Sequence, residues 1–180
     1  MRVIDGRWVL PTVLAATVAG AGTVGYLDWQ GHRPVEEPGH AAFLCGLPTG
    51  DGTPLGRLLP SGGQDVEEKR DGGFRTPVSC TVRVDGRVAV TVSAAFQDGR
   101  PVLSPEAAEH PDARSFDAGT AAASWPGGAT VSDYCKGGPV GHVQLIVTPG
   151  EAVRTGTDQQ ADLERIARER LPLSMKEACG

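Results

Sequence analysis

The fold turns on Val78–Ala94, VSCTVRVDGRVAVTVSA. Val78, Cys80, Val82 and Val84 alternate with Ser79, Thr81 and Arg83, and Val88, Val90 and Val92 repeat the pattern. A period of two puts each set on one face of a β-strand. Asp85-Gly86 between the runs is a turn dipeptide, so the segment reads as a hairpin. A plain two-residue turn pairs Val84 with Arg87 and leaves the two valine sets on opposite faces. A three-residue loop or a bulge pairs Val84 with Val88 and gathers the valines on one face, which one-sided burial favours.

Toward the C-terminus, Ala129–Cys135 and Val140–Thr148 read as a second hairpin around Lys136-Gly137-Gly138-Pro139. Val143, Leu145 and Val147 form its inward set, and His142 and Gln144 alternate outward onto a solvated face. Beyond Pro149-Gly150 comes a helix, with Thr157 and Gln160 as a capping box. Leu163, Ile166, Ala167 and Leu171 make its buried stripe, Glu164 and Arg168 pair on the outside, and Pro172 ends it.

Toward the N-terminus, Gln64–Thr76 is charged and glycine-bearing and reads as an exposed loop. Before it, Thr53 caps a short helix with Pro54 in its first turn and Leu55, Leu58 and Leu59 on one face. Gln97–Gly128 reads as irregular, apart from a short helix opened by Ser104-Pro105-Glu106, running to Glu109 and stopped by Pro111. The expected fold is α+β: an antiparallel sheet of two hairpins with a C-terminal helix packed on one face, preceded by an N-terminal transmembrane helix.

That last helix comes from Trp8–Leu27, WVLPTVLAATVAGAGTVGYL, twenty residues without a charge. At 1.5 Å per residue they span about 30 Å, the thickness of a bilayer core. Arg2 and Arg7 precede the run and Asp28, Glu36 and Glu37 follow it, which sets the N-terminus inside and the remainder outside. Trp8 at one end, and Tyr26 and Trp29 at the other, suit the two interfaces. The competing reading is a signal peptide cleaved at Ala19-Gly20-Ala21, releasing a secreted domain. Residues 1–7 are then a cytoplasmic stub, 8–27 the membrane span, 28–43 a Pro-bearing tether and 44–180 the extracytoplasmic domain.

All four cysteines, Cys45, Cys80, Cys135 and Cys179, lie beyond the apolar run. An even number confined to an exported part is a disulfide pattern. Of three possible connectivities the sequential one, Cys45–Cys80 and Cys135–Cys179, is taken, each bridge being worth about 3–4 kcal/mol. No C-x₂₋₄-C spacing supports zinc. Cys135 with His142 as nucleophile and base is the reactive alternative, and even-numbered exported cysteines are far more often bridged. Cys45 lies too far past the apolar run to carry a lipid.

The order of these features is a leading membrane segment, CGLP, PLGRLLP, SCTVRVDG, then a strand–Cys–strand–helix–Cys unit. It resembles small exported actinobacterial domains, many of them lipoproteins or single-span anchored proteins. The resemblance runs from Leu44 to Cys179 and rests on cysteine placement and hydrophobic spacing. It implies an anchored extracytoplasmic domain with two disulfides and carries over no catalytic residue. The chain departs from the lipoproteins in having no lipid-bearing cysteine after the apolar run.

The net charge of −5, with no long basic block, argues against nucleic acid as a partner. With Gly 25, Pro 14 and aromatics at only 5%, the chain is loop-rich and its core short of large rings. No G-x-S-x-G, H-E-x-x-H, P-loop or dinucleotide fingerprint occurs, so no catalytic, cofactor-binding or metal-binding residue is assigned. Ser61 in LPSGG reads as a helix terminator, and the acidic run Asp65, Glu67, Glu68 lacks calcium-loop spacing. Trp125, ahead of Pro126-Gly127-Gly128, is either an exposed binding anchor or a plug in a ring-poor core.

The leading expectation is a membrane-anchored, non-enzymatic domain that binds or scaffolds an envelope protein or ligand. The alternatives are an exported hydrolase-class enzyme with a scattered site, and a ligand-binding domain with a pocket between sheet and C-terminal helix.

Overall fold

A computed structural model describes residues 41–70, 77–137, 141–154 and 158–179. All belong to the second of the two units into which the chain divides, Pro38–Gly180. The segment 8–27 lies outside the described residues. Among those described, no helix is long and apolar enough to cross a membrane.

The deciding segment forms two strands, β4 (Val78–Val84) and β5 (Arg87–Gln97). Asp85 and Gly86 both take positive φ, 51° and 77°, the geometry of a two-residue hairpin turn. Val84 therefore pairs with Arg87 and not, as expected, with Val88. The one-sided core is recovered by a bulge beyond the turn: the register shifts after Val82, which faces Val90, while Cys80 faces Val92. Ala89 and Val90 are both buried at the bulge, and Val88 is left on the other face opposite Arg83.

β8 (Gly128–Tyr134) and β9 (His142–Pro149) are the second hairpin, and β9 joins the first through an antiparallel pairing with β5. The sheet is wider than two hairpins. It has seven strands in the order β3-β4-β5-β9-β8-β7-β6. The stretch expected to be a charged loop begins with β3 (Gln64–Arg70), paired along its whole length with β4. Only Val66 in it is apolar, so the charges that hid its strand character protect an exposed sheet edge. Residues 71–76 of that stretch lie outside the described residues. On the far side β7 (Ala121–Trp125) and the two-residue β6 (Arg114–Ser115) lie in the stretch read as irregular. AAASW shows no polar alternation because β7 is covered on both faces.

The helix of the C-terminus, α3, runs Gln159–Cys179. Leu163, Ile166 and Ala167 are fully buried and Leu171 nearly so, packed on Val90, Val92, Val131, Leu145 and Val147 of the sheet. Pro172 lies inside this helix and does not end it. Beyond it, Ala178 and Met175 pack on Val143, and Cys179 is bonded to Cys135, so tertiary contacts hold the last turns despite the missing backbone donor. The cap also differs from expectation. Asp158 takes it, its carboxylate accepting from the Ala161 N–H at 3.4 Å, while Gln160 reaches Ser124 instead; Thr157 lies outside the described residues.

Two short helices form where the sequence places them. In α1 (Pro54–Leu58) the Thr53 hydroxyl accepts from the Gly56 N–H, and Leu55, Leu58 and Leu59 join the main core. Gly56 is obligatory there, since a Cβ would lie 2.2 Å from the Gly50 carbonyl oxygen. In α2 (Pro105–Glu109) the Ser104 hydroxyl accepts from the Ala107 N–H. Ala107 packs with Ala123 and Trp125, side chains that alternate away from the α3 side, so α2 covers the opposite face of the sheet.

The N-terminal strands β1 (Phe43–Leu44) and β2 (Leu47–Pro48) form a separate clip whose turn is Cys45-Gly46. Cys45 is bonded to Cys80, with Cα atoms 5.7 Å apart, which fastens the clip to β4. The second bridge, Cys135–Cys179, spans 5.3 Å between Cα atoms and fastens the end of α3 to the end of β8. The bridges close separations of 35 and 44 residues, and no cysteine is free.

Candidate functional site

A recess lies where the β6 edge of the sheet faces the first turns of α3. It has a volume of about 400 Å³. One wall is Arg114, Ser115, Phe116 and Asp117, the other is Asp158, Ala161 and Glu164, and Ser124 with Gln160 forms the floor. The floor is rigid: the Gln160 amide donates to the Ser124 carbonyl at 3.0 Å and to its hydroxyl at 3.3 Å. Arg168 ties the walls together, donating to Glu164 at 2.9 Å and standing 5.7 Å above the Phe116 ring. With Glu164 paired to Arg168, the carboxylates of Asp117 and Asp158 share the cleft with Arg114.

Beneath the cleft, α3 is bolted to α1. The Arg57 Nε lies 3.1 Å from both carboxylate oxygens of Asp162, a second guanidinium nitrogen also donates to Asp162, and another donates to the Gly52 carbonyl at 2.7 Å. Asp162 is almost fully buried. The hydrogen bond to it raises the Arg57 pKa above its already high ordinary value, against the opposing effect of desolvation. This pair fixes the start of α3, and with it the Asp158–Glu164 wall.

The residues singled out from sequence fall elsewhere. Trp125 is only 5% exposed, with Gly127 and Gly128 against its ring and the ring centroid 6.5 Å from that of His110. It plugs the smaller core under α2, and no exposed ring is there to anchor a partner. His142 is not on a solvated face. It is 1% exposed, with neither ring nitrogen bonded to a protein group, and Gln144 beside it is also buried. The face they share is covered by the segment leading into α2, whose Val102 carbonyl accepts from Ser132 at 2.9 Å and from Gln144 at 3.1 Å. Cys135 is committed to its bridge, so it forms no nucleophile pair with His142. Asp133 accepts from the Thr120 hydroxyl at 2.8 Å and from the Tyr134 N–H at 2.9 Å, a local tie at the strand end.

Among the described residues, no group of three or more His, Cys, Asp or Glu is placed to hold a metal ion. The cleft residues carry no motif. They are gathered by a two-residue strand and a helix start more than forty positions apart in sequence, a juxtaposition that exists only once the sheet has closed. No protein-family model, curated protein or solved structure matches the chain.

Proposed function

We propose that the chain is a membrane-anchored extracytoplasmic protein of the kind found in actinobacterial envelopes, whose domain binds a partner or ligand without transforming it. The observation that carries the location is the complete pairing of all four cysteines, since disulfides of this kind persist in oxidising compartments. The uncharged run 8–27 supplies the anchor in this reading, and the tether after it sets the domain off from the membrane.

Binding is favoured by the chemistry of the cleft. It offers carboxylates, a guanidinium, a ring face and fixed amide groups, which hold a ligand by charge, stacking and hydrogen bonds. No histidine or cysteine lines it. Fractionation of cells producing the full chain tests the location. The expected result is full-length protein in the membrane fraction, cleaved by protease added from outside. A soluble product beginning near Gly22 would convert the anchor into a signal peptide, and recovery in the cytosol with reactive thiols would overturn the reading.

A further inference from the structure

We propose that the open edge of β6 and the cleft beside it accept an extended peptide strand carrying a basic side chain. This names the ligand class for the binding reading above and rests on it. Among the described residues β6 ends the sheet, with β7 as its only strand neighbour. Its register pairs Ser115 with Ala123, and the Phe116 N–H donates to the Ala122 carbonyl at 3.4 Å. Antiparallel ladders alternate, so residues 114 and 116 bond toward β7 and the Ser115 N–H and C=O point out from the sheet. A peptide residue opposite Ser115 takes both bonds, which is strand addition.

The flanking peptide residues, opposite Arg114 and Phe116, then share the face on which α3 lies. Their side chains enter the cleft, whose about 400 Å³ accommodates a long side chain. Asp117, Asp158 and Glu164 stand against Arg114 and against Arg168, which pairs with Glu164, so the space keeps an excess of one carboxylate and favours an arginine or lysine over a glutamate. The charged side chains of β3 line the other sheet edge and discourage pairing.

The test uses the full chain in detergent and a fluorescein-labelled degenerate hexapeptide pool with arginine fixed at the third position, followed by anisotropy. Saturable binding is expected, with a pool carrying glutamate there at least about fivefold weaker. Methylating alternate backbone nitrogens of the arginine pool should abolish binding, and Glu164→Gln or Asp158→Asn should each weaken it about threefold to fivefold. Hydrogen exchange should slow at the Ser115 amide when the pool is added. The proposal is overturned if the arginine pool does not bind, if binding ignores backbone methylation, or if the Ser115 amide is already slow because residues 28–40 or a second copy fill the edge. Fractionation and thiol state are read separately, so an anchored, fully oxidised chain that ignores the peptide pool refutes this inference alone.

Discussion

Asp162 is the residue on which the geometry of the cleft most depends. It sits in the first turn of α3, where a carboxylate is favoured by the helix dipole, and it is nearly buried against Arg57. The Arg57 side chain is 31% exposed, so water softens the loss when its partner goes. Asp162→Ala should cost about 1–3 kcal/mol by thermal or denaturant unfolding, whereas Glu164→Gln, which breaks an outer pair, should cost no more than about 0.5 kcal/mol. Equal losses in the two variants would show that the inner pair is no more important than a surface one. Neither the pair nor the cleft was legible in sequence: Arg57 and Asp162 are over a hundred positions apart, and nothing local marks either as half of a contact. His142 misled for the opposite reason. Its alternation with Val143 and Gln144 holds in the strand, but alternation tells which residues share a face and not whether that face is covered.

At the scale of elements, readability followed the strength of local chemistry. The helices of Pro54–Leu58 and Pro105–Glu109 were visible because a capping hydroxyl and a proline act within one turn. The valine strands were visible because half-buried sheet imposes a period of two. β3 was hidden by the charges an edge strand needs, and β7 by burial on both faces. Pro172 reads as a stop because its intrinsic cost within a helix is about 3 kcal/mol, yet the turns beyond it are held by packing on Val143 and by the Cys135–Cys179 bridge. Replacing both cysteines of that bridge by alanine should therefore cost about 4 kcal/mol, and the amides of 173–179 should be the first to exchange in deuterium. A loss spread evenly over α3, with no preferential fraying past Pro172, would contradict this division of the helix.

For the whole molecule, the poverty in aromatic side chains is met by architecture. A seven-stranded sheet is sealed on one side by α3 and α1 and on part of the other by α2, and two bridges fasten its first clip and its last helix. Such stapling of a small core is common in proteins of compartments where thiols oxidise, and the proposed location rests on it. The central claim, an oxidised domain held at the membrane, is tested most directly by one measurement. Cells producing the full chain are broken in a membrane-permeant alkylating agent, and the intact mass of the chain is read from the membrane and soluble fractions before and after reduction. The account predicts full-length protein in the membrane fraction that takes no label until reduced and then takes four. Two or more labels without reduction, or an unbridged chain in the cytosolic fraction, would contradict it.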